Sequence, residues 1–459
     1  MPKTKTITGL SGLKYLLLIA LLGQLFGLTA PVPAAWAELT IEKCVELALQ
    51  NNPGLQKQQL NLELAEEEIS DQKSTNFGQL NIVSSYTHYN LPRTLTPMTP
   101  GLMLNGPSQV PTTENLFTAG IVYEVALFTG FSQTRTLEIA ALQKKIADKN
   151  LKLSREQLIY NVRSLYVNCI SLKVQGKAQI TYIKALQNLH DNVAREVQLG
   201  TKAHIDQLKT AADLQNAKAE QARIEANITI LKASLANLSG LESLPELAQI
   251  TPTPQTVDLE MLQKKDFSEE IAHLERLQTI RLEIDKNSKQ IEKEQGTFYP
   301  QIVLNAGYGQ NFGPNDSSNI DSGDWNNQEV WQAGLNMKWN IFDFGRTKSR
   351  LRKAKIRENQ NRREQTKIEL ELKRALKEAA TKINLAVADY NSAKAELDLT
   401  RETETIEELR FAQGASDIND LLAAKARNQM AKSRIISAGY SYKNARFYLD
   451  YLLENGENR

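Results

Sequence analysis

The chain has 459 residues, with 55 basic and 53 acidic side chains, two cysteines and a mean hydropathy of -0.41. That length exceeds one ordinary domain or makes one elongated one. The low hydropathy excludes a polytopic helical membrane protein but leaves open a transmembrane β-barrel, whose strands are only half apolar.

The N-terminus reads as a signal peptide over residues 1–37. Lys3, Lys5 and Lys14 precede an apolar run through Leu28, then come Pro31, Pro33 and the small-x-small site Ala35-Trp36-Ala37, which predicts cleavage before Glu38. A membrane anchor is the alternative, but the run is short for a span. No cysteine follows the site, so a lipoprotein anchor is not indicated. Cleavage leaves 52 basic against 53 acidic residues, and nothing in that balance asks for nucleic acid.

A helix is predicted over 40–71. Two strands, "QLNIVSSYTHY" (79–89) and "FTAGIVYEVALF" (117–128), then bracket a loop of Pro, Thr, Gly and Asn. In the second of these, Phe117, Ala119, Ile121, Tyr123, Val125 and Leu127 share a face opposite Thr118, Gly120 and Glu124, the period of two of a strand. From 133 to 197 one unbroken helix would span roughly 100 Å at about 1.5 Å per residue. Leu158, Val162, Leu165, Cys169 and Leu172 form a heptad seam along it, which specifies supercoiled packing. Cys44 and Cys169 could pair in an oxidising compartment, but their placement makes both look like small apolar core residues.

The pattern then repeats. Pro245, Pro252 and Pro254 mark a junction (245–258) between a first copy (38–244) and a second (259–459). The second copy opens with a helix over 267–295 and continues with the strands "QIVLNAGYGQNF" (301–312) and "EVWQAGLNMKWNIF" (329–342). "VALFTGF" lies 214 positions before "WNIFDFG", and the same offset relates Gly200 to Gly414, Asp206 to Asp420, Leu208 to Leu422 and Glu124 to Lys338. Leu372, Leu376, Ala379, Ile383 and Ala386 repeat the seam, which continues through Tyr390, Ala393 and Leu397. Matching "FGQL" to "YPQI" gives an offset of 222, so the first strand loop is eight residues longer than the second. The glycine after the second strand is displaced by one position between copies, Gly130 against Gly345, which predicts a different bend at the two strand-to-helix junctions.

Strands of 10–12 residues with one apolar face suit lipid outside and water inside. Trp331, Leu335 and Trp339 lie on the lipid side of the last strand, the two tryptophans toward its opposite ends, where aromatic belts are expected. Four strands cannot close a barrel, and an open edge in lipid leaves backbone groups unpaired. The chain must therefore oligomerise; two copies supply eight strands and three supply twelve, and periodicity does not choose between them. A soluble half-buried sheet on a helical stalk is the competing reading.

The chain resembles the TolC-type outer membrane efflux protein family over nearly all of its mature length. The likeness rests on "LTIEKCVELALQNNPGLQ" (39–56), the junction "NIFDFGRTKSRLRKA", and the paired hairpins "LGTKAHIDQL" and "QGASDINDLL". It implies an α+β membrane protein: a long antiparallel α-helical coiled-coil barrel joined to a transmembrane β-barrel with four strands per chain, in a homotrimer. It also implies a Gram-negative outer membrane location with a periplasmic helical domain, and passive exit of solutes or proteins in a tripartite efflux or type I secretion system. The implied partners are a periplasmic adaptor, an inner-membrane RND, ABC or MFS pump and outer membrane lipid. A periplasmic coiled-coil adaptor or stalk is the alternative class, but adaptors carry one hairpin where this chain has two.

No catalytic constellation, cofactor motif or metal site is apparent, and an enzyme is not expected. His88, His190, His204 and His273 are scattered, no Walker loop is present, and Met337 and Met430 are far apart. The candidate residues are carboxylates at the helix-hairpin tips. Asp420 takes the position that the family assigns to a constricting aspartate ring at the periplasmic entrance. The family's second aspartate is Ala423 here, with Asp417 a candidate substitute; Asp206 is the counterpart of Asp420 in the first hairpin. Symmetric carboxylates around one axis would favour cations; Asp206 and Asp417 equally suit a first helical turn, where they complement the dipole. The turns carrying Gly200, Thr201, Gly414 and Ala415 are candidate adaptor contacts or plain solvated turns. The basic run Arg346, Lys348, Arg350, Arg352, Lys353, Lys355 and Arg357 suits anionic headgroups or a solvated helix face.

Overall fold

A computed structural model describes residues 38–105, 110–254, 265–314 and 325–456. The expected signal peptide lies outside the described residues. In chain order the elements are α1 (Ile41–Asn51), α2 (Pro53–Thr75), β1 (Gln79–Thr94), α3 (Pro100–Asn105), β2 (Thr112–Phe128), α4 (Ser132–Gln198) and α5 (His204–Ser239). Then follow α6 (Ser268–His273), α7 (Glu275–Gly296), β3 (Gln301–Pro314), β4 (Trp325–Lys338), α8 (Arg346–Ala412) and α9 (Ile418–Leu452).

The two opening helices, each expected unbroken, are both interrupted. Asn52 ends α1 and caps α2, its side chain accepting the Leu55 amide at 3.0 Å, with Pro53 at the first helical position. Pro53 has no N–H for the ladder, which accounts for that break. The second break falls at Leu274, 222 residues on, in the same extended conformation (ψ 139° against 118°) and without a proline. There the freed amides of Glu275 and Arg276 are taken by the carboxylate of Glu454, whose side chain is 7% exposed. A distant residue thus supplies the cap that Asn52 supplies locally.

α4 and α8 each run for 67 residues, and the seams predicted on them are packed. Leu158, Val162 and Cys169 join one core with α1 and α5, while Leu372, Leu376, Ala379, Ile383 and Ala386 join another with α6, α7 and α9. Both cysteines are buried and free; burial pushes the Cys44 thiol up, and it lies 3.5 Å from the Ser239 hydroxyl. The segment after α5 is docked. Leu247 is fully buried and bridges Leu39, and the Tyr166 hydroxyl reaches the carbonyls of Leu39 (2.6 Å) and Ala248 (2.8 Å).

The strands form one antiparallel sheet in the order β1-β2-β3-β4. The register places Ile82, Ile121, Tyr308 and Trp331 in one continuous row of opposed residues, with Leu80, Tyr123, Leu304 and Leu335 on the same face. That face is bare: Ile82 is 86% exposed and Trp331 72%. Five strand boundaries differ from expectation, among them the end of β3, which runs two residues further, to Pro314. β1 and β2 extend five residues further outward, and β4 runs from Trp325 to Lys338 instead of over 329–342. Trp331 is therefore mid-strand, and Trp339 lies just past the strand, its indole N–H donating to the Phe298 carbonyl at 3.0 Å. The reason is pairing: Lys338 faces Gln301, the first residue of β3, and before it Pro300 offers no amide.

At the end of the sheet far from the helices, an aromatic row runs through Tyr86, Phe117, Phe312 and Trp325, with successive ring centroids 4.6, 5.6 and 6.2 Å apart. Between Trp325 and Trp339 a strand rising about 3.3 Å per residue and tilted about 40° climbs roughly 35 Å. This height matches an apolar band of about 25 Å flanked by aromatic girdles.

Candidate functional site

Far from the sheet, α4 turns into α5 and α8 turns into α9. Each turn is closed the same way. Gly200 (φ 77°) donates its amide to the Val197 carbonyl, and Thr201 donates to Glu196 at 2.9 Å; Gly414 (φ 71°) donates to Phe411, and Ala415 to Arg410 at 2.8 Å. This crossed pair of bonds after a left-handed residue satisfies the last carbonyls of the helix and reverses the chain. A Cβ at either glycine would meet nothing within 4 Å, so backbone conformation alone demands glycine there.

The carboxylates sort by their surroundings. Asp417 is the N-cap of α9; one of its oxygens accepts the amides of Asn419 (2.6 Å) and Asp420 (3.1 Å). Those amides, Asp420's first, hold its carboxyl below the usual range. Asp417 is thus committed to its own helix, and the first hairpin has Ala203 at the equivalent place with no side-chain cap. Asp206 sits half-buried in the first turn of α5, and Asp420 is exposed in the first turn of α9. Asp420 is therefore the carboxylate left free to face outward from the tip.

The two tips are tied together. Leu186, Val193, Leu214, Ala217, Ile418, Leu421 and Leu422 form a common apolar core beneath them, and the Lys202 ammonium lies 4.1 Å from the centre of the Phe411 ring. Behind Asp420 is a polar cluster that the hydrophobic pattern does not reveal. Lys425 is 6% exposed; its ammonium meets Glu404 at 3.1 Å and also Glu408, while Asn428 donates to Glu404. One turn on, the buried Gln429 amide donates to Gln179 of α4 at 3.0 Å. The available signal was a helix in which Lys, Asn and Gln fall at inward positions, and periodicity counts such residues as outward.

The seven basic residues at the start of α8 are all exposed. Among the described residues no carboxylate pairs with any of them, no helix is long and apolar enough to cross a membrane, and no group of His, Cys, Asp or Glu could hold a metal.

A long-helix hairpin repeated twice, joined to half of a two-faced sheet at each repeat, is the architecture of an efflux duct. The chain belongs to the family described as "Outer membrane efflux protein", whose sequence profile matches residues 44–241 and 268–454. Outer membrane efflux protein BepC of Brucella suis is 22% identical over 438 residues, covering 93% of this chain and 89% of its own. Outer membrane protein TolC of Vibrio cholerae is 20% identical over 422 residues, covering 89% of each. A membrane protein of Pseudomonas aeruginosa of known crystal structure shares the fold, with a TM-score of 0.74 at 16% identity, covering 93% of this chain and 95% of its own. The family is one of transport channels, so the adaptor reading is set aside.

Proposed function

We propose that the chain is the outer membrane exit duct of a tripartite efflux or type I secretion system, working as a homotrimer. The single observation that carries this is the sheet: one face is apolar and bare from β1 to β4, and both edge strands are unpaired. In lipid each unpaired backbone group costs several kcal/mol, so the sheet belongs in a wall completed by other copies. Three copies give twelve strands, enough to surround an aqueous lumen.

The long helices carry that lumen into the periplasm. Their tips, at Gly200, Thr201, Gly414 and Ala415, would receive a periplasmic adaptor coupled to an RND, ABC or MFS pump. Transport through the duct is passive, with energy supplied by the pump. Asp420, exposed at the tip, would form a ring of three carboxylates around the axis that favours cations and is blocked by divalent ones. The test is single-channel recording of the purified protein in planar bilayers. Asp420→Ala is expected to raise conductance and relieve divalent blockade; unchanged conductance would remove Asp420 from the gate. A purified chain that is a water-soluble monomer would overturn the duct itself.

A further inference from the structure

The first three turns of α8, from Arg346 to Arg357, carry seven cations and no acid. At the start of α4, 214 positions earlier, the same seven places hold no cation and one acid, Glu138. Both helices run for 67 residues and both follow a left-handed turn, so the charge is not needed to build the helix. Cations at i and i+4 repel one another and weaken the helix that bears them. The fold neither requires the run nor gains from it.

No neighbouring carboxylate offsets the run among the described residues. Asp343, just before the helix, is occupied by the Gly345 amide at 3.0 Å and by the Thr347 amide and hydroxyl at 2.7 and 2.6 Å. Glu292 of α7 is turned to α4, where it meets Arg135 at 2.8 Å. Glu358, the first acid along α8, meets Arg362 at 2.6 Å.

The seven cations fall into two rows. Arg346, Arg350, Lys353 and Arg357 follow steps of four, three and four; Lys348, Arg352 and Lys355 follow steps of four and three. Thr347 and Ala354 are the buried positions of these turns, and the rows flank them on either side. The rows therefore lie on the two surfaces of the helical wall.

α4 tells those surfaces apart. The images of Lys348, Arg352 and Lys355 on it are Thr134, Glu138 and Ala141, and steps of three and four carry that stripe down to Glu156 and Tyr166. Glu156 accepts the Gly456 amide at 2.8 Å, and the Tyr166 hydroxyl donates to the carbonyls of Leu39 and Ala248. These docked segments belong to none of the long helices, and a hollow duct must carry them on its outer surface. The Arg346 row, on the opposite surface, faces the lumen.

We propose that Arg346, Arg350, Lys353 and Arg357 form a cationic collar in the lumen, just below the sheet, that draws anionic solutes through the duct: carboxylates, phosphates and sulfonates. The proposal rests on the channel reading and adds the charge class of the cargo. Lys338, exposed on the face of β4 opposite Trp331 and Leu335, extends the row into the sheet.

The row spans about 17 Å of helix at about 1.5 Å per residue. Its arginines present planar forks that match the oxygens of a carboxylate or phosphate in pairs. A lumen with low-dielectric walls focuses their field, which reaches about 8 Å at physiological salt. Asp420 lies at the other end of the helices and favours cations there, so the two ends of the duct attract opposite charges. An anion that has passed the tip is drawn on toward the sheet.

The test is single-channel recording of the full chain in planar bilayers. Pyrenetetrasulfonate, a tetra-anion that does not chelate metals, is added on the side of the sheet and should block the current of the parent protein. Arg346→Gln, Arg350→Gln, Lys353→Gln and Arg357→Gln together should raise the half-blocking concentration roughly tenfold or more, the scale on which a charged cleft concentrates its counter-ions. Lys353→Gln with Arg357→Gln should raise it by a smaller factor, and this milder pair decides the matter if the fourfold variant makes no channel. Lys348→Gln, Arg352→Gln and Lys355→Gln together should leave it nearly unchanged. Equal relief from both rows would overturn the lumenal assignment. A parent that conducts but is not blocked, or a block that the Arg346 row does not move, would overturn the collar and leave the channel reading standing. A parent that never conducts would defeat both.

Discussion

Phe131 and Gly345, 214 residues apart, hold the same left-handed backbone at the start of the two long helices, with φ of 66° and 85°. The residues before them, Gly130 and Phe344, are left-handed too, at 63° and 53°. The junctions therefore bend alike, although the displaced glycine predicted a difference. Position 130 must be glycine because a Cβ there would lie 2.1 Å from the Gly296 carbonyl oxygen; nothing lies within 4 Å of the Cβ position of Gly345. Crowding by a neighbour, not the bend, decides which of the two positions receives the glycine. Phe131 is held by edge-on contacts with Phe128 (5.3 Å) and Tyr299 (6.4 Å), each worth about 0.5–1.5 kcal/mol, against a left-handed penalty of roughly 1–2 kcal/mol.

At the tips the demand is purely conformational. Gly200→Ala and Gly414→Ala should each cost about 1 kcal/mol in thermal or denaturant unfolding, and Gly→Asn at the same positions clearly less, since Asn tolerates the left-handed region. An alanine variant as stable as the parent would contradict the turn geometry.

Asp417 and Asp420 should separate by readout. Asp417→Ala removes a helix cap and should cost about 1 kcal/mol of stability with little change in conductance. Asp420→Ala should do the opposite. A conductance change with Asp417→Ala as large as with Asp420→Ala would return Asp417 to the gate.

Two capping carboxylates set an acid limit. Asp343 accepts the Thr347 hydroxyl at 2.6 Å and amide at 2.7 Å, which hold its carboxyl below the usual range, as its amides do for Asp417. A lowered folded-state pKa gives stability that is present above the unfolded value of about 4 and lost as pH falls through the folded one. Glu454 runs the other way, because burial raises it; its contribution is full below the unfolded pKa and fades as pH rises through the folded pKa. Unfolding midpoints should therefore drop below about pH 4. Asp343→Asn should flatten that drop, and Glu454→Gln should flatten the change on the alkaline side of the unfolded value.

Lys425→Ala would leave Glu404, which is 20% exposed, without its cation and should destabilise the second hairpin by a few kcal/mol, less than a fully buried pair because Glu408 is half-exposed. Lys425→Met combined with Glu404→Leu should recover most of that loss, as apolar replacement of a buried pair often does. Hydrogen exchange in α8 and α9 would locate the change.

Much was legible in the residue pattern because it depends on neighbours close in the chain. Period-two strands, the seams from Leu158 and Leu372, and the glycines that stop α4 and α8 are all set by local geometry. The missed parts depend on residues far apart. The break at Leu274 needs Glu454, 180 positions later, and Lys425 is a core residue only because Glu404 and Glu408 lie on the facing helix. The extent of β4 is set by where β3 begins.

By itself the order of amino acids determined that this chain builds half-apolar strands and helices about 100 Å long, twice over, because hydrophobic period and backbone permissiveness act within a turn or two. Only the tertiary structure decided which carboxylate at the tip is spent on capping and which is free, and which strand edges stay open. Both are properties of distances between residues that the chain separates and folding brings together.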